Sequence, residues 1–249
     1  HTWPKPGLVT AVDNGSHRDM DAALFRASIS VITPYLGLLA HAGADNAPFL
    51  QLQHIGVEAE RAMLAATQGV NTHRGAIFAL GLLCAAAGRR LAGLHGRQSL
   101  GRIVRKTWGR QIRAAVRVAD SHGERVRRLY GIGGARTEAA AGFPAAYRVG
   151  LPALIAARRL ATPERARVQA LFSLLAVVQD TNLLFRGGPA ALQWARAAAR
   201  EFLSRGGVGR PGWQREALAI HRLFVQRGLS PGGTADMLAV TLLLERLES

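Results

Sequence analysis

The polar chemistry of this sequence is concentrated in four short stretches, each joining glycine to hydrogen-bonding or charged residues beside an apolar segment. They are Asp13-Asn-Gly-Ser-His-Arg-Asp-Met-Asp21, Gly69-Val-Asn-Thr-His-Arg-Gly75, Asp180-Thr-Asn-Leu-Leu-Phe-Arg-Gly-Gly188 and Ser230-Pro-Gly-Gly-Thr-Ala-Asp236. A helix start exposes unpaired N–H groups and the positive end of the macrodipole, so it suits phosphate. Gly75, Gly232 and Gly233 permit close backbone approach, while Arg74 and Arg186 each add a planar, permanently charged fork. Ordinary capping explains one such stretch. Four in one chain, three of them with an arginine (Arg18, Arg74 and Arg186), point to phosphate binding. None is a P-loop, because the required Gly-Lys-Ser/Thr is absent.

The acids are scarce, 16 in 249 residues, and their company is informative. Asp180 closes the apolar run Leu-Phe-Ser-Leu-Leu-Ala-Val-Val, and Asp236 enters Met-Leu-Ala-Val-Thr-Leu-Leu-Leu. A carboxylate so placed must be paired, hydrogen-bonded or bound to a cation. Glu60, in Glu58-Ala-Glu-Arg-Ala-Met63, precedes the second stretch, with surface pairing to Arg61 as the plain alternative. Asp180, Asp236 and Glu60 are therefore metal candidates, with Asp19 and Asp21 beside them, and capping alone is the plain alternative for Asp236. Asp19 and Asp21 diverge if the backbone there is helical and converge only if it is still turning, while His17 and Asp21 share a helical face. No His/Cys spacing fits zinc and no Gly-x-Ser-x-Gly elbow occurs. Any metal is expected to be a hard, oxygen-bound ion such as Mg²⁺, held partly by substrate phosphates.

Helical periodicity dominates, and no run of alternating β-branched residues competes with it. The spacing predicts an all-α fold, one compact multi-helix domain over residues 1–249. About nine helices are expected, over 19–33, 47–66, 74–87, 100–121, 145–159, 163–179, 189–205, 211–227 and 234–247. Thr162-Pro163-Glu164 places a capping hydroxyl before a proline at the first helical position, and Gly206 and Gly228 sit where C-terminal glycines belong. Pro152 should kink or restart its helix. The weakly helical stretch 131–144 reads either as a linker or as a mobile lid carrying Arg136 and Glu138.

Hydrophobic residues make up 49% of the chain and charged residues 19%, a globular composition. No uninterrupted apolar run reaches the roughly 20 residues of a membrane span. The chain opens at His1 without methionine or a charged-then-apolar export signal, so an upstream segment is expected. The single Cys84 lies in an apolar run and fits a reducing compartment as a small core residue. The 32 basic residues, all arginine except Lys5 and Lys106, give a formal charge of +16. That field favours polyanionic partners, although solvated helix faces account for it equally well.

Pro4-Lys-Pro-Gly-Leu-Val9, Asn14-Gly-Ser-His-Arg-Asp-Met-Asp21, Thr67-Gln-Gly-Val-Asn-Thr-His-Arg-Gly-Ala-Ile-Phe78, Gly142-Phe-Pro144 and Ser230-Pro-Gly-Gly-Thr-Ala-Asp236 go beyond a generic pattern. Together they resemble the triphosphoribosyl-dephospho-coenzyme A synthases, in the wording of the malonate decarboxylase branch more than the citrate lyase branch. The resemblance runs nearly the whole length in order, and against the family's usual length a leading helix is expected before His1. It implies an all-α cytoplasmic enzyme in which the 2′-hydroxyl of 3′-dephospho-coenzyme A attacks the anomeric carbon of ATP and expels adenine. The product is the precursor of a prosthetic group that a further transferase attaches to an acyl-carrier protein. A β-nucleoside giving an α-linkage implies inversion, with one base on the hydroxyl and one donor at the leaving group.

On this reading Asp19 or Asp21 is the base, with His17 as alternative base or orienting partner and Glu138 next in line. Lys5, Arg18, Asn71, Thr72, His73, Arg74, Gly75, Arg136, Asn182, Arg186, Ser230, Gly232 and Gly233 are the expected contacts to phosphate or ribose. Mg²⁺ is expected on two or three of the acids, with Asp180 favoured. The expected partners are ATP, 3′-dephospho-coenzyme A and the downstream transferase, with room for a homodimer and no role for nucleic acid or membrane. Two rivals stand beside it: a hydrolase cleaving the same bond with water, and a charge-driven nucleic-acid binder lacking a stacking platform.

Overall fold

The computed structural model describes residues 2–115 and 122–248. Among them every regular element is helical, in agreement with the expected class, and eleven α-helices replace the expected nine. In chain order they are α1 (Ala22–Ala44), α2 (Phe49–Ala66), α3 (Arg74–Leu91), α4 (Leu100–Ala114), α5 (His122–Tyr130) and α6 (Gly134–Ala141). Then follow α7 (Leu151–Arg158), α8 (Pro163–Leu175), α9 (Thr181–Ser204), α10 (Trp213–Gln226) and α11 (Gly232–Glu248). The chain divides into two compact units. One holds residues up to Ala22, Arg117–Gly134 and Pro144–Leu242; the other holds Ala23–Val116, Ala135–Phe143 and the chain from Leu243 onward.

The extra helices are α5 and α6. In α5, Glu124 and Arg127 pair at i,i+3, and Val126 reaches the core of its unit, so one apolar residue anchors an otherwise charged turn. The stretch 131–144, read as a linker or lid, is helical over most of its length. Its alanines are the reason: Ala139 and Ala140 are buried, and Gly109 of α4 is small enough to admit the Ala140 carbonyl. A Cβ on Gly109 would stand 2.9 Å from that oxygen.

Other boundaries moved for local reasons. The first helix starts at Ala22, not Asp19, so Asp19–Asp21 are not helical, with a bend at Arg18 and Asp19. At α4 the helix stops at Ala114, where Ala115 is extended, and part of the tail expected up to Ser121 lies outside the described residues. The helix expected from Pro189 starts eight residues earlier, at Thr181, and breaks at Gly188 (φ 66°) just before that proline. Pro152 does restart its helix, after a π-helical turn over Ala146–Gly150. There Gly150 is required, because a Cβ would overlap the Thr241 hydroxyl.

In the second unit α3 packs against α2 and α4 and carries ten buried residues. Its all-round apolar character follows from that position. Small residues let α1 cross it closely: a Cβ on Gly88 would overlap the Ala40 carbonyl, and one on Gly43 would overlap the Ala85 carbonyl. In the first unit α5, α8, α9 and α10 enclose a core containing Phe172 and Phe202, with ring centroids 4.1 Å apart. Helix α1 is long and apolar enough by composition to cross a membrane, with 17% of its apolar window buried. The reading from uninterrupted runs missed it because Arg26 splits the apolar sequence.

Candidate active site

Each unit carries its own polar cluster. In the second unit the Asn71–Gly75 stretch forms the entrance to α3. Asn71 Oδ1 accepts from the Arg74 N–H at 3.1 Å, capping the helix, and the His73 N–H points at the Met63 sulfur at 3.2 Å. His73 Nδ1 lies 2.8 Å from Ser28 Oγ and 3.1 Å from Thr72 Oγ1, and Thr72 donates to Ser28 at 2.8 Å. Phe25 stacks edge-on against the imidazole at 4.8 Å. Arg74 Nε donates to Glu60 Oε2 at 2.9 Å, both side chains half-exposed. Gly75 follows in the first turn of α3. Thus Asn71, Thr72, His73, Arg74 and Glu60 do come together. Ser28, fully buried, and Phe25 were missed, because a contact across 45 residues leaves no local pattern.

In the first unit the residues before α1 form a loop docked on the α10–α11 connection. Gly7 (φ 63°) and Gly15 (φ 57°) make this docking possible, since a Cβ on Gly7 would overlap the Leu229 carbonyl. Ser16 Oγ donates to Leu229 O at 2.6 Å, and His221 joins the loop through Lys5 O at 2.9 Å and Asp13 Oδ1 at 3.3 Å. The loop delivers His17 to Ser230, Nε2 to Oγ at 2.8 Å. On the other ring nitrogen, Asp19 Oδ1 stands at 3.6 Å and Arg186 Nη2 at 3.4 Å. Arg186 also donates to Gly228 O at 2.9 Å. Burial and the Arg186 charge hold the His17 imidazole below its ordinary pKa against the opposing pull of Asp19. Burial likewise lowers the Lys5 ammonium, with Asp13 opposing. Arg18, Asp19 and Asp21 are exposed.

The starts of α9 and α11 meet in the same unit, on one carboxylate. Asp180 Oδ1 accepts from the N–H groups of Asn182 (2.9 Å) and Leu183 (3.2 Å), capping α9. Its Oδ2 accepts from the Thr234 N–H (2.7 Å) and hydroxyl (2.9 Å), at the start of α11. The glycine pair permits the junction: a Cβ on Gly232 would overlap the Asn182 amide, and one on Gly233 would stand 3.3 Å from the Asp180 carboxyl carbon. Burial pushes the Asp180 carboxyl up while its four donors pull it back. Asp236 sits beside it, half-buried, and burial together with the Asp180 charge pushes its carboxyl up to about 8.

Among the described residues no group of three or more His, Cys, Asp or Glu is arranged to hold a metal ion. The expected cage of acids is not formed. Glu60 pairs with Arg74, and both oxygens of Asp180 accept hydrogen bonds from protein donors. Arg136 and Glu138 ride half-buried on α6, and Arg136 Nη1 donates to Ala115 O at 3.1 Å. Thr234, the hinge of the helix junction, was overlooked inside a stretch that sequence had flagged for its glycines.

Residues 1–249, the whole chain, match the family of ATP:dephospho-CoA triphosphoribosyl transferases (CitG). The chain belongs to that family. A probable 2-(5''-triphosphoribosyl)-3'-dephosphocoenzyme-A synthase of Acinetobacter calcoaceticus is 40% identical over 248 residues, covering 98% of this chain and 85% of the relative. Relatives of the same description from Vibrio cholerae serotype O1 (40% over 261 residues, 99% and 83% covered) and Pseudomonas aeruginosa (41% over 253 residues, 98% and 85%) are similarly close. No solved structure matches the chain. The chain is thus a transferase of the triphosphoribosyl-dephospho-CoA synthase type.

Proposed function

We propose that this enzyme joins the triphosphoribosyl group of ATP to the 2′-hydroxyl of 3′-dephospho-coenzyme A with release of adenine, by one inverting displacement. The observation that carries the reading is the end-to-end family match, in which the residues of the resemblance cap and line helix starts. Both substrates carry phosphate chains, and each unit has an arginine near a helix start, Arg74 in the first turn of α3 and Arg186 in the second turn of α9. Asp19 or Asp21, both exposed and ahead of α1, takes the hydroxyl proton. A weak base suffices, because that proton is lost as the oxygen bonds to an electrophilic ribosyl carbon. His17, held neutral, orients the loop through Ser230. Mg²⁺ enters with the ATP phosphates and supplies charge neutralisation there.

The Gly15–Asp21 wording supports the malonate decarboxylase branch, so the product is the precursor of that enzyme's acyl-carrier prosthetic group. A downstream transferase then takes it up in the cytoplasm. The test is to follow adenine by chromatography and the coupled product by mass spectrometry. Adenine release should require both ATP and dephospho-coenzyme A. Release from ATP alone at the full rate would make the protein a hydrolase. Arg74→Ala should weaken binding or turnover, and since its ion pair with Glu60 is half-exposed, stability should change by only about 0.2–1 kcal/mol. Unchanged kinetics in that variant would remove Arg74 from the site. Comparing Asp19→Asn with Asp21→Asn in single-turnover adenine release identifies the base, which should lose about 10²–10⁴-fold while both substrates still bind.

A further inference from the structure

A cleft of about 320 Å³ opens at the entrance to α10, inside one unit, and the site described above does not use it. Arg165 on α8 lines it, together with Arg210, Gly212 and Trp213 where the chain enters α10. Gly212 takes the left-handed conformation (φ 75°) and offers no side chain as a cap. The first N–H groups of this 14-residue helix therefore have no side-chain acceptor.

The side chains gathered here add to the positive charge instead of balancing it. Arg165 lies over the Trp213 ring, its Cζ 5.9 Å from the centroid, at the outer reach of a cation–π contact. Arg215 turns back toward Gly212, so that its Nη2 is 3.5 Å from where a Cβ on that glycine would stand. The positive end of a helix dipole disfavours a cation, and neither arginine has a carboxylate partner among the described residues. Glu216, the acid in the first turn of α10, is taken by Arg205 and Arg210. On the residues lining the cleft, the buried atoms without a partner are Trp213 Nε1 and Arg210 Nε, both N–H groups, and Trp213 is only 4% exposed. Donors and positive charge are in excess here, and acceptors are missing.

We propose that this cleft binds a diphosphate group, either as part of a phosphate ester or as free pyrophosphate. Its volume is at the lower end of small-molecule sites, which run from roughly 300 to 1,000 Å³, so it suits a diphosphate better than a whole nucleotide. The guanidinium forks of Arg165 and Arg215 hold the outer oxygens by charge-assisted hydrogen bonds, and the first N–H groups of α10 take an oxygen between them. Such a ligand supplies the negative charge and the acceptors that the protein lacks at this point. The inference does not rest on the transfer reaction, because it follows from the cleft between α8 and α10 and uses neither Arg74 nor Arg186.

The chain has four tryptophans, and the indole resonance missing from a proton–nitrogen correlation spectrum of Trp213→Phe belongs to Trp213. Titrating the wild type with pyrophosphate should shift that resonance to saturation. Arg165→Gln and Arg215→Gln, both at exposed side chains, should keep the fold by circular dichroism. Each should raise the midpoint about 10- to 100-fold, the worth of a charge-assisted hydrogen bond. Arg74→Ala should leave the midpoint where it is. ATP and dephospho-coenzyme A are then titrated separately, so that no turnover occurs. A shift by one of them as well assigns the site to that substrate's phosphate chain, and a shift by pyrophosphate alone assigns it to a free diphosphate. A Trp213 resonance that none of the three moves, equal shifts of all four indoles, or a midpoint that changes in Arg74→Ala and not in the other two arginine variants overturns the proposal. The pyrophosphate titration involves no transfer chemistry, so its failure is distinct from a failure of the adenine-release test.

Discussion

Replacing Asp180 tests the junction of α9 and α11 directly. Asp180→Ala removes the N-cap of α9, which costs about 1 kcal/mol. It also leaves the buried Thr234 N–H without an acceptor, worth about 1–3 kcal/mol, while the Thr234 hydroxyl can rotate elsewhere. Together these come to about 2–4 kcal/mol, and relief of the buried charge offsets part of it, so a cost toward the lower end of that range is expected. Asp180→Asn keeps an oxygen for the α9 cap but turns an amide NH₂ toward the Thr234 N–H, for about 1–3 kcal/mol. Thr234→Val deletes only the hydroxyl bond, about 1 kcal/mol. Urea denaturation followed by far-ultraviolet circular dichroism gives all three values. The order alanine, asparagine, valine is the signature of a carboxylate shared by two helix starts. A cost below about 1 kcal/mol for Asp180→Ala would refute it. Residual activity of Asp180→Asn should show the wild-type Mg²⁺ dependence, because that carboxylate has no oxygen left for a metal.

Gly88→Ala should destabilise the protein by about 1–3 kcal/mol or more, since its Cβ meets the Ala40 backbone carbonyl at a crossing that cannot yield; a melting temperature equal to wild type would contradict the close packing of α1 on α3. Folded Asp236 keeps its proton up to about 8, whereas an unfolded aspartate releases it near ~3.9. Its contribution is therefore complete below the unfolded value, declines as pH rises between the two and is lost above about 8, so melting temperature should drop over that window in wild type and less in Asp236→Asn. Burial pushes the Cys84 thiol up to about 11, so iodoacetamide at pH 8 should label the native protein slowly and the urea-unfolded protein quickly; equal rates would place Cys84 at the surface.

Much was legible in the sequence because its causes are local. Helical periodicity announced the fold class, Thr162-Pro163 announced a helix start with its cap, and glycine beside Asn71 or Ser230 announced helix entrances. The specific wording of those stretches, read along the chain, also pointed to the family. Local signals misled where a partner decides the outcome. Residues 134–141 look like a linker in isolation and become helix because Ala139 and Ala140 find a buried place beside Gly109.

The acids show the same division. Sequence alone established that Asp180 and Asp236 need partners, because a carboxylate inside an apolar segment is costly. Only the tertiary structure decided which partner each has. It brought the start of α11 against that of α9, so that Asp180 spends four lone-pair directions on backbone and hydroxyl donors and Asp236 is left with its proton. Contacts spanning 54 residues, like the 45 between Ser28 and His73, depend on how helices cross, and no periodicity within either segment encodes that.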